Sequence, residues 1–214
     1  MKKLLFMLFD RLGILLSFLY PPSLTNVWHS FKDKAYTGYI RRRFAKFGDS
    51  IVMWHPYQLR GLEYIQVGDG TIFEKDLQLT ATVSSSQTPC LFIGNHCLIR
   101  RGAHITATNK ITIGDNLLTG TNVLITDNSH GNTDYASLLV PPGKRDVVSK
   151  GAVTIGNNVW LGNNVCVLPN VTIGDGAVIG ANSVVTHDVP PYSVAIGIPA
   201  KVVKQNMEEV DLKQ

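Results

Sequence analysis

From Ile155 onward the chain reads IGNNVW, LGNNVC, VLPNVT, IGDGAV, IGANSV, VTHDVP, and every block of six opens on an aliphatic residue: Ile155, Leu161, Val167, Ile173, Ile179, Val185. The fifth position repeats too, as Val159, Val165, Val171, Ala177, Ser183 and Val189. A period of six suits neither an amphipathic helix nor an alternating strand. It fits a solenoid whose faces are short strands of one hexad each, three hexads of about 18 residues closing a triangular coil. The first residue of a hexad turns inward and stacks on its equivalent one coil away, while the Gly, Asn and Asp that follow take the corners, some at positive φ. Backbone groups then pair between coils, which makes the faces parallel sheets.

The same phase runs backward through IGDNLL, TGTNVL and ITDNSH from Ile113, and through IGNHCL, IRRGAH and ITATNK from Ile93, with Ile111 and Thr112 as two extra residues between coils. A looser coil, VGDGTI, FEKDLQ and LTATVS, starts at Val67 and ends in the turn SSQTP. The reading is four to five coils between residue 67 and about residue 200. Between Ile125 and Ile155 the in-phase residues are Gly131, Ser137, Gly143 and Ser149, none of which fills a core. Residues 126–152, with PPGKRD among them, are therefore an excursion loop, and a loop that long in a compact repeat is usually functional.

The formal charge of +4 is unevenly spread: residues 1–46 hold nine Lys and Arg against Asp10 and Asp33, which is +7, and leave −3 for the rest. Leu4 to Tyr20 is strongly apolar, yet Asp10 and Arg11 interrupt it, it falls short of a span of roughly 20 apolar residues, and YPPS is no small-residue cleavage site. Lys3, Asp10 and Ser17, seven apart, make a narrow polar stripe on a helix that must lie on its own assembly, on another subunit or on a membrane surface. The expected division is an N-terminal helical region at 1–46, a solenoid domain at 47–205 and a tail at 206–214. Cys90, Cys97 and Cys166 follow no paired spacing and read as reduced packing residues of a cytoplasmic protein. The basic segment has no nucleic-acid-binding motif, so no nucleic-acid partner is expected.

Ile155 to Val203, with its repeats, NNVWLG and the GIPAK terminator, closely resembles the hexapeptide-repeat acyltransferases, in particular the maltose/galactoside O-acetyltransferase group and its polysaccharide O-acetyltransferase relatives. That resemblance covers about residues 60–205. It implies an all-β fold, a left-handed parallel β-helix with an N-terminal helical region and an excursion loop. It also implies a homotrimer with acetyl-CoA bound between neighbouring solenoids, and no catalytic metal.

Acyl transfer to a hydroxyl needs a base near neutrality, and histidine suits that task. His130 opens the excursion loop where the family carries its catalytic histidine, so the resemblance implies a direct transfer with the sugar oxygen as nucleophile. It implies an N–H donor to the thioester around Trp160, Gly162 and Asn163, and a cofactor lining of Ala181, Pro199, Ala200, Lys201 and Lys204. Where the galactoside enzyme carries a lysine, this chain has His187. The coil that matches the galactoside acceptor site reads IRRGAH, so Arg100 and Arg101 are the acceptor candidates and suggest a charged acceptor. Asp127 and Asn128 either contact the acceptor, orient the His130 ring or simply build the corner.

The expected function is acetyl-CoA-dependent O-acetylation of a sugar hydroxyl in polysaccharide or glycan biosynthesis, by a cytoplasmic protein with a peripheral contact at the inner membrane face. The rival readings are N-acetylation of an amino sugar nucleotide or antibiotic, a non-catalytic solenoid scaffold, and a metal enzyme like the γ-class carbonic anhydrases. The histidines disfavour the last, since His104 and His130 approach different corners.

Overall fold

The computed structural model describes residues 2–206 except 20–21, 56, 85–87 and 89. Residues 207–214 of the expected tail, and most of the SSQTP turn, lie outside the described residues.

Three parallel sheets wind around one core. Sheet A runs from Lys46–Phe47 to Thr172–Ile173 in six strands, sheet C from Tyr57–Arg60 to Val184–Val185 in six, and sheet B from Val52–Met53 through Trp160–Leu161 to Ser193–Gly197. Ala200–Gln205 closes sheet B as an antiparallel hairpin on Ser193–Gly197. The chain visits A, B and C in turn, so the molecule is a triangular parallel β-solenoid with three edges, A–B, B–C and C–A. Ile155 pairs with Ile173, Leu161 with Ile179 and Val167 with Val185, each 18 residues on. All six are buried, as are Val159, Val165, Val171, Ala177, Ser183 and Val189. Each such aliphatic residue contributes about 1.5–3 kcal/mol by burial.

The corners explain the polar residues of the hexad. On the A–B edge the N–H of Asp49 donates to Asp69 Oδ1, Asp69 to Asn95, Asn95 to Asp115, Asp115 to Asn157 and Asn157 to Asp175, at 2.6 to 2.9 Å. The third hexad residue thus caps the coil before it. Asn116, Asn158, Asn122, Asn164 and Asn182, in fourth positions, hold φ between 56 and 59°, which Asn tolerates better than other side chains.

The structure adds one coil ahead of the four to five expected from residue 67 onward. Lys46–Phe47, Val52–Met53 and Tyr57–Arg60 already form a coil and pair with Ile65–Val67, Ile72–Phe73 and Leu77–Ala81. Phe47, Met53 and Leu59 keep the spacing of six, but aromatic and sulfur side chains hide the aliphatic pattern. Ile111 and Thr112 are not spacers either: they extend the sheet A strand Lys110–Ile113, and Ile111 is core.

Two helices precede the solenoid. In α1, Lys2–Leu19, all side chains from 2 to 18 are exposed. The second half of α2, Pro22–Ile40, packs on the first coil: Ile40 is buried, and Thr37 Oγ1 accepts the N–H of Met53 at 3.2 Å.

Candidate active site

The excursion leaves the solenoid at the C–A edge. Asn128–His130 pairs antiparallel with Val147–Ser149 as a two-stranded arm, and the loop between them carries α3, Tyr135–Leu138. Asp134 caps α3 through Ser137, and Arg145 ties the loop down by donating to the carbonyls of Val140 at 2.7 Å and Leu138 at 3.3 Å. His130 is exposed on this arm, opposite Val147, and no protein group among the described residues hydrogen-bonds its ring.

Asp127, one corner before, is fully buried. Its carboxylate accepts the N–H groups of Thr108 and Asn109, both at 2.8 Å, and the Asn128 amide at 3.1 Å. Asn128 also donates to the Thr106 carbonyl at 3.2 Å. Both residues hold the corner from which the arm departs. Neither orients the His130 ring, and burial keeps Asp127 from an acceptor.

Trp160, Gly162, Asn163 and Ala181 gather elsewhere, on sheet B and the B–C edge. Trp160 is exposed and opposes Val178. Gly162 must be glycine, because a Cβ there would lie 2.6 Å from the backbone N of Ala181. The third-position ladder reaches this edge at Thr121, whose N–H donates to Asn163 Oδ1 at 2.9 Å, and then stops. Ala181 has no side-chain acceptor, so among the described residues the N–H groups of Asn163 and Ala181 have no protein partner. The Gly162 N–H is already bound to the Ile179 carbonyl at 2.8 Å. A free donor next to Trp160 was readable in the sequence, as an alanine where the ladder needs an Asx.

Pro199, Ala200, Lys201 and Lys204 lie in the hairpin closing sheet B. Lys204 opposes Val194, which pairs with Val178, which pairs with Trp160; three strand spacings put Lys204 about 14 Å from Trp160. One face thus carries the expected thioester and cofactor residues, while His130 stands at another edge. His187 is also on the C–A edge, its ring 2.8 Å from Thr186 Oγ1.

Arg100 and Arg101 stand on the B–C edge, but their charge is met within the chain. Arg100 Nε lies 3.3 Å from Glu74 and Arg101 Nε 2.8 Å from Asp76. Sequence reasoning missed these acids because residues 82–89 widen the interval between stacked partners here to 26, as from Phe73 to Ile99. Among the described residues no group of three or more His, Cys, Asp or Glu could hold a metal ion.

The bacterial transferase hexapeptide family, described as six repeats, matches residues 152–187. The solved structure of a galactoside acetyltransferase in complex with coenzyme A is 30% identical, with a TM-score of 0.54, over 78% of this chain and 68% of that one. The chain belongs to the hexapeptide-repeat transferases. Among relatives of this family in Escherichia coli K12, WbbJ, named for O-acetyl transfer in lipopolysaccharide biosynthesis, is 39% identical over 57% of this chain. The galactoside O-acetyltransferase is 41% identical over 44%. The chain spans 64% and 44% of the lengths of these two relatives.

Proposed function

We propose that the protein is an acetyl-CoA-dependent O-acetyltransferase of a sugar hydroxyl in polysaccharide or glycan biosynthesis. The observation that carries this reading is the break in the corner ladder at Ala181, which leaves the Asn163 N–H free beside Trp160. A fixed backbone donor of that kind stabilises charge developing on a thioester carbonyl. His130 takes the proton from the acceptor hydroxyl as its oxygen attacks, the carbonyl carbon passes through a tetrahedral state, and the CoA thiolate leaves. Lys201 and Lys204 supply cations for the phosphates of the donor.

His130 and the Asn163 donor stand on different edges of one solenoid. The proposed site is therefore shared, with the arm of one protomer reaching the B–C edge of the next in a homotrimer of left-handed β-helices. The outward row of sheet B supports such packing: Val52, Ile72, Leu98, Leu118, Trp160, Val178 and Val194 follow one another strand by strand without a polar residue. A stripe of this length on a soluble face calls for a partner.

The proposed organisation is a helical region at 1–46 whose exposed α1 meets a membrane and whose last residue, Lys46, already pairs in sheet A, the catalytic solenoid at 47–205 and a tail at 206–214. No helix among the described residues is long and apolar enough to cross a membrane. Instead α1 exposes Leu4, Phe6, Leu8, Phe9, Leu15 and Phe18, and Arg41–Arg43 follow α2. An apolar helix joined to a basic segment suits the anionic inner face of a membrane, which supports a peripheral position at the cytoplasmic side.

The test is thiol release from acetyl-CoA by wild type and His130→Ala with neutral sugars, nucleotide sugars, amino sugars and acidic oligosaccharides. Histidine-dependent release with a hydroxyl acceptor and an ester product by mass is expected. Release with amines alone would replace this reading by N-acetylation.

A further inference from the structure

A second concave site lies far from His130. A cavity of about 630 Å³ opens between α2 and the B–C edge of the first two coils, lined by His29, Lys32, Asp33, Tyr36, Tyr39, His55 and Lys75. Its wall is aromatic: the Tyr36 ring lies 5.7 Å from Tyr39, 6.3 Å from His55 and 5.6 Å from Tyr57, centroid to centroid. Asp33 accepts the His55 N–H at 3.3 Å, which fixes α2 to the corner and holds the cavity open. The neighbouring Tyr57 hydroxyl is buried with no hydrogen-bond partner among the described residues.

The charges around the cavity are unequal. Glu74 and Asp76, the acids flanking Lys75, are engaged by Arg100 and Arg101. Among the described residues neither Lys32 nor Lys75 has an ion-pair partner, and Asp33 is the single carboxylate of the lining. Two free ammonium groups, two imidazoles and a tyrosine wall suit a ligand with a flat apolar face and an anionic group. A pyranose ring offers the first and a phosphate the second.

We propose that this cavity is a second binding site, for a saccharide carrying a phosphate, with the sugar against Tyr36 and Tyr39 and the phosphate between Lys32 and Lys75. The cavity sits at the first coil, whereas the arm with His130 leaves from the fourth. Three coil spacings separate them by about 14 Å along the axis. A phosphorylated sugar anchored here would present the remainder of a longer glycan along the B–C edge. That use of the site rests on the acetyl-transfer reading; the binding itself does not.

The experiment is calorimetric titration of the full-length protein, without acetyl-CoA, with glucose 1-phosphate, maltose and inorganic phosphate. Glucose 1-phosphate is expected to bind more tightly than either of the others. Lys75→Ala, which removes a charge-assisted hydrogen bond, and Tyr36→Ala, which removes the aromatic face under the sugar, should each weaken it about tenfold, while His130→Ala binds as wild type. Both substituted side chains are at the surface, and an unchanged circular dichroism spectrum separates impaired binding from impaired folding. Equal binding of maltose, indifference to Lys75→Ala and Tyr36→Ala, or no binding of glucose 1-phosphate would each overturn the proposal. Failure of acetyl transfer in His130→Ala, or its persistence, bears on the proposed function alone.

Discussion

His130 lies directly opposite Val147 across the two-stranded arm that leaves the solenoid at the C–A edge. The pairing sets the histidine on a short ladder instead of a free loop, so its position depends on the arm and its chemistry on the ring alone. His130→Ala is expected to lower kcat by about 100-fold or more with KM for acetyl-CoA little changed, because a general base contributes on that scale. Steady-state kinetics checks this, and a kcat within a few-fold of wild type would remove His130 from the mechanism.

Asp127 holds the base of the same arm through the N–H groups of Thr108 and Asn109. Removing the carboxylate in Asp127→Ala orphans both donors in a buried place and is expected to lower the unfolding free energy by about 2–4 kcal/mol. Asp127→Asn keeps one acceptor oxygen and should lose less. Urea denaturation measures both variants; equal stability of Asp127→Ala and wild type would contradict the corner role.

Ala181 is the residue that frees the Asn163 N–H. Ala181→Asp restores the acceptor that every third-position residue from Asp69 to Asp175 supplies on the A–B edge. The variant is expected to fold at least as stably as wild type while its kcat falls by about 100-fold, the scale of one oxyanion donor removed. Full activity in a folded Ala181→Asp would separate the donor from the chemistry.

The outward row of sheet B gives a prediction about assembly. Leu118→Arg puts a charge in the middle of that apolar stripe, beside Trp160. Sedimentation is expected to find wild type as a trimer and Leu118→Arg as a monomer with an unchanged far-ultraviolet spectrum. A wild-type monomer would sink the shared-site reading.

His104 stands on the outer face of sheet C between Gln78 and Leu124, and burial holds its imidazole below the usual histidine value. The folded chain therefore takes up fewer protons than the unfolded chain across that range, and stability rises with pH. This contribution is complete above the unfolded value of about 6.5 and is lost as the pH falls below it. His104→Gln should lose less stability than wild type between pH 7.5 and pH 5.5, as read from thermal denaturation; equal losses would assign the effect elsewhere.

The hexad by itself determined the solenoid, its core and its corners from Ile93 to Val185, because each of those roles depends on a residue's place within six and on nothing distant. The helical character of α1, read from the stripe of Lys3, Asp10 and Ser17, and the excursion at 126–152, read from in-phase residues that fill no core, were legible because those signals are local too. What lies beside what across coils was decided by tertiary structure. Stacked partners are separated by 18 residues between Ile155 and Ile173, 20 between Ile93 and Ile113, 26 between Val67 and Ile93, and 42 between Ile113 and Ile155. Insertions change that interval, so a pattern read along the chain does not show that Glu74 meets Arg100, that Asp127 reaches Thr108, or that His55 faces Tyr36. The same geometry set His130 and Asn163 on different edges: three short faces turn the chain by a third of a circuit every hexad, and residues that look adjacent in the repeat end on opposite sides of the prism.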